Sequence, residues 1–123
     1  MTELVLVDPD PDKRPFAASL GLDLTSPDAI PSDLDLVIHA SATQQGLASG
    51  LSSLGVEGTL VEASWFGQAA PVVPLGADFH AKRLTIRSSQ VGRVPTSQAL
   101  VGPCGIAWSW RSPSWLTRSM TPG

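Results

Sequence analysis

The residues that could do chemistry are few, and most lie at the ends of apolar runs. Asp8 closes the run ELVLV (3–7), and Asp10 and Asp12 follow at alternate positions. An ionised carboxylate only accepts hydrogen bonds, and its two oxygens are enough to take both hydroxyls of a vicinal diol. Three carboxylates together could also hold a cation, but Pro9 and Pro11 between them suit a tight turn with solvated charges. The charge of Asp8 repels a nearby phosphate, an effect that the basic pair Lys13 and Arg14 softens. His39 falls in an apolar run and His80 in a short helical stretch, neither with another metal-ligand type at a zinc spacing. No convergent partners are visible for either, so both read as packed or surface histidines. Trp65 and Phe66 read as a hydrophobic plug over a sheet edge. The single cysteine, Cys104, permits no internal disulfide. No residue is assigned to catalysis and none to a metal.

The elements that must position these residues alternate. A strand at 3–7 leads into a helix that Asp10 or Asp12 can cap, with Pro11 at a first-turn position, Phe16, Ala17 and Leu20 on one face, and Gly21 ending it. Residues 22–33 are loop-like, with one short strand at most. DLDLVIHASA gives a strand at 35–40, and Thr43 then caps a helix with Leu47, Leu51 and Leu54 at helical spacing. Gly55 stands where a left-handed C-terminal residue is wanted. GTLVEAS predicts a strand at 58–64, followed by a short helix over 76–82 and a strand at 84–89. Such alternation predicts a parallel sheet covered by helices on both faces, with ligands at the strand C-termini. The candidate binding positions are therefore Asp8, Ala40, Ser41 and Ala42, Glu62, Ala63 and Ser64, and Ser88, Ser89 and Gln90. Asp8 has the residue type and place with which a dinucleotide-binding fold holds the adenosine ribose, and its charge favours NAD over NADP.

Bulk properties narrow the partners. At 123 residues, 42% hydrophobic and 15% charged, the chain is long enough for one domain with a core. A net charge of -3 gives no basic footprint for nucleic acid. No apolar run approaches the roughly 20 residues of a membrane span, and the N-terminus lacks the basic, apolar pattern of a leader. A cytoplasmic protein is expected, of unassigned oligomeric state.

VDPDPDKRPFAASLGLD resembles the second strand and following helix of the medium-chain dehydrogenase/reductase family, the zinc-type alcohol dehydrogenase-like proteins, with an acidic residue closing the strand and LG ending the helix. DLVIHASATQQGLASGLSSLGVEGTLVEASWFG resembles that family's next strand, helix and glycine-led strand. PLGADFHAKRLTIRSSQVG resembles the close of its cofactor domain, a short helix before a strand of the form LTIRGS. The resemblance covers residues 3–93. It implies NAD(P)-dependent oxidation of an alcohol or reduction of a carbonyl or activated alkene. By position, Asp8 would bind the adenosine ribose with Lys13 beside it, Ala40 to Ala42 would line the adenine and ribose side, and backbone at Glu62 to Ser64 and Ser88 to Gln90 would face the nicotinamide end. Glu62 departs from the family's small or apolar residue, and Ser88 stands where glycine or alanine is common.

The fold expected is α/β, an incomplete Rossmann-like doubly wound parallel sheet lacking its first strand, with an irregular C-terminal tail. Residues 1–94 would be a partial dinucleotide-binding domain without the glycine-rich pyrophosphate turn or the catalytic domain, hence inactive alone, weak in cofactor binding and poorly soluble. Residues 95–123 lack acidic residues and hold three of the four tryptophans. Tryptophan has one codon, TGG, and the adjacent frame reads Leu, Val or Met there, so this tail is consistent with a frameshifted helix of the form L-E-L-A-L-A-E-L-A-D. Two other classes fit the pattern: a receiver-like signalling domain, which the acids after the first strand suggest but DLVIHASAT lacks the phosphoacceptor aspartate for, and a noncatalytic binding module on the same fold.

Overall fold

A computed structural model describes residues 3–90; the tail reading for 95–123, Cys104 included, lies outside them. Two parallel sheets form. In the first, β1 (Leu6–Val7) pairs with β2 (Leu24–Thr25). Between them a 3-10 turn (Pro11–Lys13) runs into α1 (Arg14–Ser19). The Asp10 carboxylate accepts from Asp12 N–H at 3.0 Å, which caps the turn as its residue type predicts, and Gly21 ends the helix with φ of 72°. Only Ala17 of the expected apolar face is buried. Phe16 and Leu20 are exposed, because a six-residue helix has too few turns to carry a full apolar stripe.

The second sheet has the order β3-β4-β5, with β3 Leu34–His39, β4 Leu54–Glu62 and β5 Thr85–Ser88. Its strands end in line: His39 pairs with Glu62, and Glu62 with Ser88. Among the described residues no strand joins the two sheets. The helix α2 (Gln44–Ser53) covers one face, and Leu47 and Leu51 meet Leu54, Leu60 and Leu84 in the core. Complete burial of Leu54 and Leu60 contributes about 1.5–3 kcal/mol each. On the opposite face Leu36 and Ile38 are exposed, so cover on both faces is not found among the described residues.

Two local expectations change. Helix α2 ends at Ser53 and Leu54 is already extended (φ -71°, ψ 143°), so Gly55 is not a left-handed cap. Its missing side chain serves a close approach instead, since a Cβ there would lie 3.2 Å from the backbone of Asp33. The strand predicted at 58–64 consequently starts four residues earlier. The predicted short helix is present as α3 (Asp78–Ala81). Among the described residues no helix is long and apolar enough to cross a membrane.

Candidate functional site

Asp8 follows β1 directly. One of its oxygens, Oδ2, meets Lys13 Nζ at 2.6 Å, and Oδ1 accepts from Asp10 N–H at 2.9 Å. The Lys13 ammonium, and then the Asp10 amide, hold the Asp8 carboxyl below its ordinary value, while Asp8 holds Lys13 above its own. Asp8 is half-buried and each oxygen keeps a lone pair, so the carboxylate remains able to accept from hydroxyl donors. The alternating acids make a turn, in which the Asp8 and Asp10 carboxylates each take a backbone N–H two residues on.

The tips of β3, β4 and β5 bring the other positions together. Ala63 N–H donates to the carbonyl of His39 at 2.9 Å, and Ser89 N–H to that of Glu62 at 2.8 Å, which lays residues 40–42, 63–64 and 89 side by side. Ala40 and Ala42 are exposed and small. Ala42 takes φ of 52°, a left-handed conformation costing about 1–2 kcal/mol for a residue with a Cβ. Its N–H donates to Ser64 Oγ at 3.0 Å, which ties the turn after β3 to the turn after β4.

The centre of this cluster is His39, for which the sequence alone shows no partners. Its ring is buried, yet Nδ1 lies 2.6 Å from Glu62 Oε2 and Nε2 lies 2.7 Å from Ser41 Oγ. Partial burial raises the pKa of Glu62, but hydrogen bonds from His39 and Ser64 together outweigh it, and the carboxyl lies below its ordinary value. The donor pattern follows from that ionised acceptor. Nδ1 carries the hydrogen toward Glu62; in the neutral ring Nε2 is then an acceptor, to which Ser41 donates while accepting from Thr43 Oγ1 at 2.9 Å. Thr43 in turn caps α2 by accepting from Gly46 N–H at 3.1 Å. On the other side Glu62 Oε1 accepts from Ser64 N–H at 2.8 Å. Glu62 thus points into the protein rather than toward a ligand.

The aromatic pair divides. Phe66 packs against the core, its ring 6.0 Å from that of His39, whereas Trp65 is 87% exposed and plugs nothing. His80 is exposed in α3.

Comparison with solved structures decides the fold. L-idonate 5-dehydrogenase of Escherichia coli matches 72% of this chain with a TM-score of 0.60 at 20% identity. The fold is shared with a segment of dehydrogenases. The 2R,3R-butanediol dehydrogenase of Bacillus subtilis matches 70% (TM-score 0.59, 18% identity), and a protein of Sinorhizobium meliloti described as a zinc-binding dehydrogenase, solved bound to NADP, matches 72% (0.56, 19%). The chain spans 28%, 27% and 30% of these three proteins, respectively. The partial Rossmann-like architecture read from the sequence is thus found in the structure. No protein-family model and no curated protein sequence matches the chain.

Proposed function

We propose that this chain is the later part of the dinucleotide-binding domain of a medium-chain dehydrogenase/reductase, and that NAD(P), NAD in preference, is its ligand. The observation carrying the proposal is Asp8: a half-buried carboxylate with free lone pairs, at the C-terminal end of a parallel strand, in a fold shared with dehydrogenases. Its two oxygens fit the two hydroxyls of an adenosine ribose. A 2′-phosphate placed there meets the carboxylate charge, which Lys13 at 2.6 Å offsets only in part. Ala40 and Ala42 leave space beside the strand tips, and the peptide groups at residues 63–64 and 88–90 edge the nicotinamide end. When bound, the dinucleotide would supply hydride transfer; this chain's residues would hold and orient it. No GxGxxG turn occurs in these 123 residues, so the pyrophosphate would be held by residues outside the chain, and the chain alone would bind the dinucleotide weakly and carry out no hydride transfer.

Calorimetric titration with NAD+ and NADP+ tests this. Saturable heat with NAD+ that exceeds that with NADP+, and falls in Asp8→Asn, is expected. Silence toward both ligands from a folded sample refutes dinucleotide binding by this chain and leaves a receiver-like or noncatalytic module on the same fold.

A further inference from the structure

The linkage Ser41 Oγ to His39 Nε2 at 2.7 Å, and His39 Nδ1 to Glu62 Oε2 at 2.6 Å, has the order nucleophile, base, orienting carboxylate. We infer that Ser41 is an activated nucleophile, with His39 as its general base and Glu62 as the group that orients the base, competent toward small activated acyl esters. The two ends of the linkage differ in access: His39 is buried, so its ring is fixed, while Ser41 is exposed and open to an incoming acyl group. Glu62 is fixed as well, by Ser64 N–H on its second oxygen.

Independent support comes from Gly46. A Cβ at that position would sit 2.5 Å from Ser41 Oγ and 2.8 Å from His39 Nε2. Hence the first turn of α2 lies against the Ser41–His39 hydrogen bond, and it fits only because residue 46 has no side chain. The N–H groups of Gln44 and Gln45, at the start of that helix, have no acceptor within it.

The reaction balances without a cofactor. Ser41 Oγ bonds to the acyl carbon and its proton passes to His39 Nε2; the bond to the leaving alcohol breaks as His39 returns that proton to it. Water then attacks the acyl-serine, giving a proton to His39, and the carboxylic acid leaves as the proton returns to Ser41. A phosphonofluoridate probe would stop at the first stage, with a new Ser41 Oγ–P bond, fluoride released, and the serine proton taken up by His39. This inference is independent of dinucleotide binding.

The test treats the full chain with a phosphonofluoridate and maps the adduct by mass spectrometry, beside hydrolysis of p-nitrophenyl acetate. An adduct on Ser41 is expected, absent in Ser41→Ala, with ester hydrolysis lowered in parallel. Glu62→Gln should slow labelling about a hundredfold. Gly46→Ala retains all three groups but should lose labelling, because its methyl displaces Ser41. Circular dichroism establishes that each variant is folded; should Glu62→Gln unfold, Ser41→Ala, altered only at an exposed side chain, still decides the matter. No adduct on folded wild-type chain, or an adduct at other serines that persists in Ser41→Ala, overturns the assignment.

Discussion

Replacing Glu62 by Leu while leaving His39 in place should cost this small protein a large share of its stability. The Glu62 side chain is 16% exposed and that of His39 5%, so water can replace little of what is removed. A hydrogen bond to a charged partner contributes about 1.5–3 kcal/mol net, and leaving the buried Nδ1–H with only Ser64 Oγ, 3.5 Å away, adds about 1–3 kcal/mol. The cost of desolvating the carboxylate, recovered on its removal, offsets part of this. The expected loss is about 2–4 kcal/mol in Glu62→Leu, and a similar loss in His39→Leu, which strands the carboxylate. The double variant should lose far less than the sum, with a coupling of about 1.5–3 kcal/mol. Urea denaturation of the full chain at pH 7, followed by circular dichroism, measures all four corners of the cycle. Losses that add within about 0.5 kcal/mol would refute the reasoning, since independent side chains add that closely. Acid supplies a second readout. The folded-state pKa of Glu62 lies below the ordinary value of 4.5, so its stabilisation is complete above that value and is lost as pH falls through the lower folded value. The gap between wild type and Glu62→Leu should therefore close on acidification.

Three further outcomes are expected. Leu60→Ala empties a fully buried position between α2 and β4 and should lower stability by about 2–5 kcal/mol in the same denaturation assay. Thr43→Ala removes the side chain that accepts from Gly46 N–H, costing about 1 kcal/mol, and it should also loosen Ser41, visible as faster amide exchange in the first turn of α2. Lys13→Ala frees the Asp8 carboxylate of its compensating charge and should widen the preference for NAD+ over NADP+ in calorimetry; an unchanged ratio would place the 2′-position elsewhere.

Strand and helix positions were legible because apolar runs bounded by proline, glycine and capping residues carry local signals. Thr43, Asp10 and Gly21 act as their types predict. Asp8 was legible for the same reason, as an acid ending a strand. The His39–Glu62 pair was not, because it joins residues 23 apart through the register of two parallel strands, and register is a tertiary property. A signal did exist: both residues end neighbouring strands, and parallel strands whose tips align put such residues together. Gly55 was misread because a glycine after a helix suggests a left-handed cap, while its actual constraint comes from the backbone of Asp33, outside the helix. Phe16 and Trp65 show that an apolar residue need not find cover in a short or irregular segment.

The direct passage from Ser53 in α2 to Leu54 in β4 leaves no slack between helix and strand. Chain can be cut or lengthened where it runs loosely over a surface, and there is no such place at this joint. A fluorescent tag or protease site introduced at 53–55 should break the fold, whereas the irregular, largely exposed stretch at 67–77 should accept one. A scan of insertions along the gene would show an intolerant gap at this joint, and that gap marks where the helix that packs on Ser41 and His39 and the glutamate's strand are joined as one piece.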